Sequence, residues 1–347
     1  MTLWGEDLPG IDTFNYRLIG FKKQPVDHFV RPFYLVAEQD EVYTNSNNFC
    51  LLNKPRHTIP NEWIQELFKV YKNQPKAMFL FHVELTHGYI NKVNIADENL
   101  VEFLSTMNET GELDKTILMM MSDHGARFSA LRATIQGKYE ERLPYFGIYL
   151  PERFKKTYPN AYGNFKSNID KLTTPFDIHA TLHDIAEYDG EKDVDISDTR
   201  EISLFDKIPE ERLCPHAGID AHWCACLKWK YIEKTNSKVH KAAQAFVDFV
   251  NSMTSKFSDM CEVLELKTIE ESQTYEPNQE LLRFKQSTIV NNRDRPEFDD
   301  DMKTEIFYQI TLVKSPNNGS YETTVKYCEK MDKYIVSADE ISRTNKY

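Results

Sequence analysis

The sequence predicts an α/β fold built on a mostly parallel sheet, followed by a smaller cysteine-containing α+β region. Three observations carry this. Compact apolar runs, KAMFLFHVE (76–84), KTILMMMS (115–122) and LPYFGIYLP (143–151), alternate with segments of helical period. These runs are apolar on both faces, as strands of a parallel sheet covered by helices are. After about residue 205 the pattern changes: cysteines cluster, and EIFYQITLVK and YETTVKYCEK alternate like antiparallel strands around the turn SPNNGS. Residues 1–205 are therefore read as a core and 206–347 as an appended region.

Taken in order, residues 1–60 lack sustained periodicity and read as irregular, with one helical turn in FKKQPVDHFVRPFY. In NEWIQELFKVYKN (61–73), Trp63, Leu67, Val70 and Tyr71 recur near helical spacing. The run 76–84 is a buried strand. NIADENLVEFLSTMNETG (94–111) is a helix with Ile95, Leu100, Phe103, Leu104 and Met107 inward, and Gly111 stands where it should stop. The runs 115–122 and 143–151 are two further strands, and TTPFDIHATLHDIAEY (173–188) opens with Thr and Pro, a helix start. KVHKAAQAFVDFVNSMTSKF provides a helix in the appended region.

The bulk composition excludes several classes. With 42 basic against 54 acidic side chains the formal charge is -12, and no dense Lys/Arg tract is present, which argues against nucleic-acid binding. No stretch approaches the roughly 18 apolar residues of a membrane span. MTLWGEDLPG has no basic segment leading into an apolar one, so it is not a signal peptide. Six cysteines and the sequons at Asn108 and Asn318 nonetheless fit an oxidising, secretory compartment.

The chemistry-bearing motifs fall at strand ends, where open α/β sheets bind ligands. In ILMMMSDHGARF the second strand runs into Asp123-His124-Gly125. An adjacent carboxylate and imidazole reach one divalent ion if the chain turns at once, which Gly125 permits, and such a pair suits Zn or Mn better than Ca. The plain alternative is a strand ending in polar turn residues. Glu84 and His87 form a second acid–imidazole pair at the tip of the first strand, suited to metal ligation, acid–base work or oxyanion contact, or simply a hydrogen-bonded loop. CPHAGIDAHWCAC has poor zinc spacing: an extended Cys224-Ala-Cys226 points its sulfurs to opposite faces, so disulfides to separate partners are expected. His179 and His183 sit four apart on a helix with no suitable acid between them and are read as structural.

From MSDHGARFSALRATIQGKYEERLPYFGIYLP, with GEDLPGIDTFNYRLIGFKKQPVDHFVRPFYL, HVELTHGYINKVNIADENLVEFL, LTTPFDIHATLHDI, ISLFDKIPEERLC and AGIDAHWCAC in the same order, the chain resembles the domain of unknown function 229 family. That family belongs to the alkaline phosphatase and sulfatase superfamily, and the resemblance covers roughly residues 1 to 230. It implies a doubly wound core and cleavage or transfer of phosphate or sulfate esters with one or two divalent metals (Zn, Mn, Mg or Ca). It further implies metal ligation by Asp123 and His124, and a substrate- or metal-facing role for His87 with Glu84 beside it. Glu6 and Asp7 are expected at a strand end approaching the same pocket, with Asp7 as a further ligand. Gln136, Lys138 and Glu141 belong to a signature without an assigned chemistry. By the same resemblance, the strand-end Asp, the nucleophile and the secretory signal precede Met1, so the doubly wound sheet is expected to be incomplete and this truncated chain inactive. A partner or rearrangement would then cover the apolar sheet edge. The alternative class is a non-catalytic secreted binding or regulatory module.

Overall fold

The computed structural model describes residues 1–46, 49–88, 91–127, 130–188, 190, 192, 194–195, 199–227, 229–275, 283–290, 293–299 and 305–345. Of the stretches that carry the resemblance, Tyr89, Ile90, Phe128 and Ser129 lie outside these. The chain forms two compact units, Met1–Leu118 with Ile148–Pro151, and Met119–Gly147 with Glu152–Tyr347. It is a mixed α/β fold: a small parallel sheet and helices in the first unit, an antiparallel sheet with helices in the second.

In the first unit, β1 (Thr2–Glu6) lies between β2 (His28–Phe29) and β5 (Ala77–Phe81), parallel to both. Between β2 and β5 come α1 (Arg31–Ala37), α2 (Glu41–Asn45), the short antiparallel pair β3 (Cys50–Leu51) and β4 (Lys54–Pro55), and α3 (Thr58–Val70). The expectation of an irregular segment over 1–60 is thus corrected: four strands, β1 to β4, and the helices α1 and α2 lie within it, ahead of α3. Five- and two-residue strands are too short to display a period. At Gly5 in β1 a Cβ would sit 2.6 Å from Leu80 Cδ2 and 3.2 Å from Val30 Cγ2, so a larger residue would have to push these side chains aside. One face of the sheet buries Leu3, Val30 and Tyr34 against Trp63, Ile64 and Leu67 of α3. The other carries an aromatic ladder, with Trp4 stacked on Phe79 at 4.3 Å and tilted against Phe14 at 5.2 Å. α4 (Asp97–Glu109) has Asp97 and Glu98 in its first turn, complementing the helix dipole. It ends at Gly111, whose φ of +74° suits a helix stop.

β6 (Leu118–Met121) and β7 (Phe146–Tyr149) pair in a separate two-stranded sheet, and the chain crosses between the units within each of them. A single sheet holding all three predicted strands is therefore not what forms among the described residues. Nor are these strands buried on both faces: Phe79 is 38%, Met121 45% and Tyr149 37% exposed. The apolar runs are real strands, but the described helices do not cover both faces of each.

In the second unit, α5 (Ile135–Arg142) lies between β6 and β7, and Thr134 caps it by accepting from the Gly137 amide at 3.0 Å. After β7 come α6 (Glu152–Thr157), α7 (Pro159–Ser167) and α8 (Pro175–Ala186). α8 opens with a Thr174–Asp177 capping box. Asp177 is fully buried and takes a bidentate pair from Arg212 at 2.9 and 3.0 Å, together with the Ile202 amide at 2.7 Å. Two stretches of the resemblance, around residues 172–185 and 202–214, are thereby tied together. β8 (Lys230–Tyr231), α9 (Ser237–Thr254) and β9 (Glu265–Tyr275) follow. A separate antiparallel ribbon, β10 (Arg283–Val290) with β11 (Arg293–Asp299), precedes β12 (Glu305–Ser315), β13 (Ser320–Cys328) and β14 (Lys333–Arg343). The five-stranded antiparallel sheet runs β14-β13-β12-β9-β8. The hairpin read at 305–330 is β12–β13, in register from Glu305↔Cys328 to Val313↔Ser320. α9 buries Val239, Ala242, Ala243, Phe246 and Val247 against Ile306, Tyr308, Ile310, Leu312 and Val325. No helix among the described residues is long and apolar enough to cross a membrane.

Candidate functional site

The first unit holds Glu6, Asp7, Glu84 and His87. Parallel pairing of Glu6 with Phe81 puts the ends of β1 and β5 side by side. Glu6 is buried and spent on structure: it accepts from the Trp4 indole at 2.8 Å and from the Thr13 amide at 2.9 Å. Asp7 follows, and its Oδ1 accepts from the amides of Val83 at 2.7 Å and Glu84 at 3.3 Å. It thereby caps the turn that closes when the amides of Thr86 and His87 donate to the Val83 carbonyl at 3.1 and 2.9 Å. Its Oδ2 lies 3.7 Å from His82 Nδ1. Asp7 and Glu84 are thus brought together through backbone amides.

Glu84 is held by Arg56, whose Nη1 donates to Oε1 at 2.8 Å. Arg56 is fixed in turn by the Cys50 and Tyr43 carbonyls and lies 3.7 Å over the Tyr43 ring. Burial pushes the Glu84 carboxyl above the usual carboxylate range, with Arg56 pulling the other way and nearby Asp7 adding to the rise. His87, on the same turn, is exposed.

The second unit holds Asp123 and His124. β6 ends at Met121, the Ser122 amide donates to the Tyr145 carbonyl at 2.9 Å, and the chain turns outward. Asp123 Oδ1 accepts from the His124 amide at 2.9 Å, and its Oδ2 lies 3.4 Å from His124 Nε2. Asp123 and His124 side chains are 61% and 36% exposed. The nearest partner of each ring nitrogen, closer than the Asp123 carboxylate, assigns the tautomer. Nδ1 lies 2.7 Å from the Gly125 carbonyl, which can only accept, so Nδ1 carries the proton. Nε2 receives the Arg127 guanidinium at 2.8 Å, which can only donate, so Nε2 presents its lone pair. An imidazole whose Nδ1–H is anchored on a backbone carbonyl while Nε2 faces a carboxylate is in the form that metal-ligating histidines adopt.

Gly125 is needed here for close approach. Its amide donates to the Glu141 carbonyl at 3.1 Å, and a Cβ would fall 2.1 Å from the Glu140 carbonyl oxygen.

The donor set fits a divalent cation in part. Asp123 and His124 supply an oxygen and a nitrogen to one point, two ligands of the four to six that such ions take. Among the described residues, the group of three candidate donors within reach of one ion is elsewhere: the sulfurs of Cys214, Cys224 and Cys226, all within 4.8 Å of one another. Cys214 and Cys224 form a disulfide, and Cys226 is free and exposed. The expectation of a disulfide at Cys224 holds, and its partner is Cys214. That a second one should take Cys226 does not hold here, where Cys50, Cys261 and Cys328 are free as well. His179 meets Glu201 at 3.1 Å and the ring of His183 at 4.6 Å.

Three residues that matter locally were not singled out in the sequence. His82 faces Asp7, Arg56 anchors Glu84, and Arg127 reads the His124 lone pair. Arg127 carried a signal, being three positions beyond His124 across Gly125. Arg56 carried none, since it lies 28 residues from its partner.

Neither the curated proteins nor the solved structures contain a match to this chain. A family model described as "Protein of unknown function (DUF229)" matches residues 1–270, which include both strand tips. The chain belongs to this family.

Proposed function

We propose that this chain carries part of the centre of a metal-dependent phosphate or sulfate ester hydrolase or transferase of the alkaline phosphatase and sulfatase type. The observation that carries the reading is the pairing of Asp123 and His124 at the β6 tip, with Nε2 3.4 Å from the Asp123 carboxylate and Nδ1 2.7 Å from the Gly125 carbonyl; Arg127, 2.8 Å from Nε2, is the side chain a metal would displace. Asp123 and His124 would hold the metal in the second unit; Asp7, which the resemblance makes a further ligand, belongs to the first unit, where it caps the turn that carries Glu84 and His87. The metal, when bound, supplies a Lewis acid for the charge that develops on the transferred group. Glu84, whose carboxyl burial pushes upward and which Arg56 holds in place, would serve as the acid–base group. His87, exposed on the turn that Asp7 caps, is free to meet an ester oxygen. The same reading places the protein in the secretory pathway or outside the cell, which a disulfide and the sequons at Asn108 and Asn318 support. It also leaves the exposed apolar side chains of β5, β6 and β7 for a partner or a further segment to cover.

The test is a titration of the protein with Mn²⁺ and Zn²⁺, followed by assays with 4-nitrophenyl phosphate and 4-nitrophenyl sulfate. The proposal expects metal binding that Asp123→Ala abolishes, and the loss in the same variant of any ester cleavage the protein shows. A protein that binds neither metal and cleaves neither ester would overturn it in favour of a non-catalytic binding module.

A further inference from the structure

We infer that Glu322, on β13 of the appended sheet, is a positioning residue for the Asp123-His124-Gly125 tip. The inference rests on reading that tip as the metal-binding pair, and it assigns a site function to a strand almost 200 residues away in sequence.

The connection can be followed atom by atom. Glu322 is buried, and its Oε1 accepts from Arg142 Nη2 and lies 3.4 Å from Arg132 Nη2. Its Oε2 lies 3.3 Å from Lys138 Nζ. Lys138 and Arg142 are on α5, and Arg132 precedes it and pairs through Nε with Glu141 on the same helix. One carboxylate therefore gathers three cations that fix where α5 lies. The last turn of α5 is what Gly125 rests on: its amide donates to the Glu141 carbonyl at 3.1 Å, and it approaches the backbone of residues 140 and 141 too closely to admit a Cβ. The carbonyl of Gly125 in turn holds the His124 ring at 2.7 Å. A displacement of α5 thus passes to the imidazole through two hydrogen bonds.

The charges make Glu322 the pivot of this arrangement. Burial pushes its carboxyl up, but Lys138 and Arg142, helped by His222 and Arg132, outweigh that and hold it down at about 2, so it stays ionised. The Nε and Nη1 atoms of Arg142 are buried and find no hydrogen-bond partner among the described residues, which leaves Glu322 as the carboxylate that fixes this guanidinium. The signature residues Lys138 and Glu141 gain a role by this route: they fasten the helix under the tip.

The experiment uses Glu322→Gln, which keeps size and removes charge, with Glu322→Asp as the conservative rescue and Asp123→Ala as the control on the tip. Two readouts are taken on each folded protein: amide hydrogen exchange at Gly125 relative to amides of β9, and Mn²⁺ affinity. In Glu322→Gln, Gly125 exchange should rise about tenfold more than in β9. Mn²⁺ binding should weaken on the order of tenfold, as for losses behind a metal ligand. Glu322→Asp should fall between. A merely structural role would loosen β9 equally and leave the ratio unchanged, which overturns the proposal. If Asp123→Ala leaves Mn²⁺ binding intact, the metal reading fails on its own, and the exchange ratio still decides the positioning role. Should Glu322→Gln not fold, the ratio is read in Glu322→Asp, where an unchanged value overturns the proposal equally.

Discussion

Replacing His222 with glutamine is expected to flatten the acid side of the stability profile. His222 is fully buried, with its two ring nitrogens 2.8 Å from Thr324 Oγ1 and 3.1 Å from Ser342 Oγ. A hydroxyl can donate or accept, so the pair serves a neutral imidazole. Burial lowers the pKa from 6.5 to about 3, with Arg142, Lys138 and Arg132 adding to the fall and Glu322 opposing it. The unfolded chain takes up a proton near pH 6.5 that the folded chain refuses until about pH 3, so stability falls as the pH drops through that window. At ~1.4 kcal/mol per pK unit the whole effect is about 4–5 kcal/mol, of which about 2 kcal/mol is lost between pH 7.5 and pH 5. Glu322 adds its own loss only as the pH falls below the carboxylate range, and Glu84, raised in the folded state, acts in the opposite direction. Glu322, which His222 helps to hold down, loses its contribution below the pH 7.5 to 5 window compared here, and Glu84 acts alike in the two proteins. Urea unfolding read by tryptophan fluorescence is the assay, since Trp223 stands 4.5 Å from the His222 ring. The variant should be less stable at pH 7.5 yet lose about 2 kcal/mol less than the parent on acidification to pH 5. Equal losses in the two proteins would refute the assignment of a neutral buried His222.

Arg212→Ala removes both hydrogen bonds to a fully buried carboxylate, and unfolding free energy should drop by about 3–5 kcal/mol, measured as a shift in the urea midpoint. Gly125→Ala forces a Cβ into the backbone of residues 140 and 141; thermal denaturation should show a loss of about 1–3 kcal/mol together with weaker Mn²⁺ binding. Arg56→Ala leaves the burial of Glu84 and removes the cation that opposes it. Its carboxyl should then titrate at still higher pH by ¹³C-detected NMR, and a downward move would contradict the stated cause.

Elements long enough to show a period were legible in the sequence. α3, α4, α8, α9 and the β12–β13 hairpin fall within a few residues of their expected places because each repeats its apolar spacing over two turns or several pairs. β1 was hidden by its brevity and by Gly5, although Trp4 and Leu3 supply its two packing faces. The strands at 77–81, 118–121 and 146–149 were found, but the sheet they join and their exposure were not, because an apolar run records what a strand can bury and not what lies against it. At the site, the adjacency of Asp123 and His124 was visible, while the tautomer depended on Arg127 and on a carbonyl, which no residue type announces. The Glu322 network could not be read at all: its partners are 180 or more residues away in sequence, and a glutamate within an alternating strand looks like any solvent-facing charge.

The most direct measurement is Mn²⁺ binding followed by electron paramagnetic resonance, because Mn²⁺ favours oxygen and nitrogen donors over the sulfurs at Cys214, Cys224 and Cys226. The protein should bind the ion, and Asp123→Ala and His124→Ala should each abolish binding without unfolding it. Binding of unchanged affinity and stoichiometry in both variants would contradict the assignment of a metal to this strand tip.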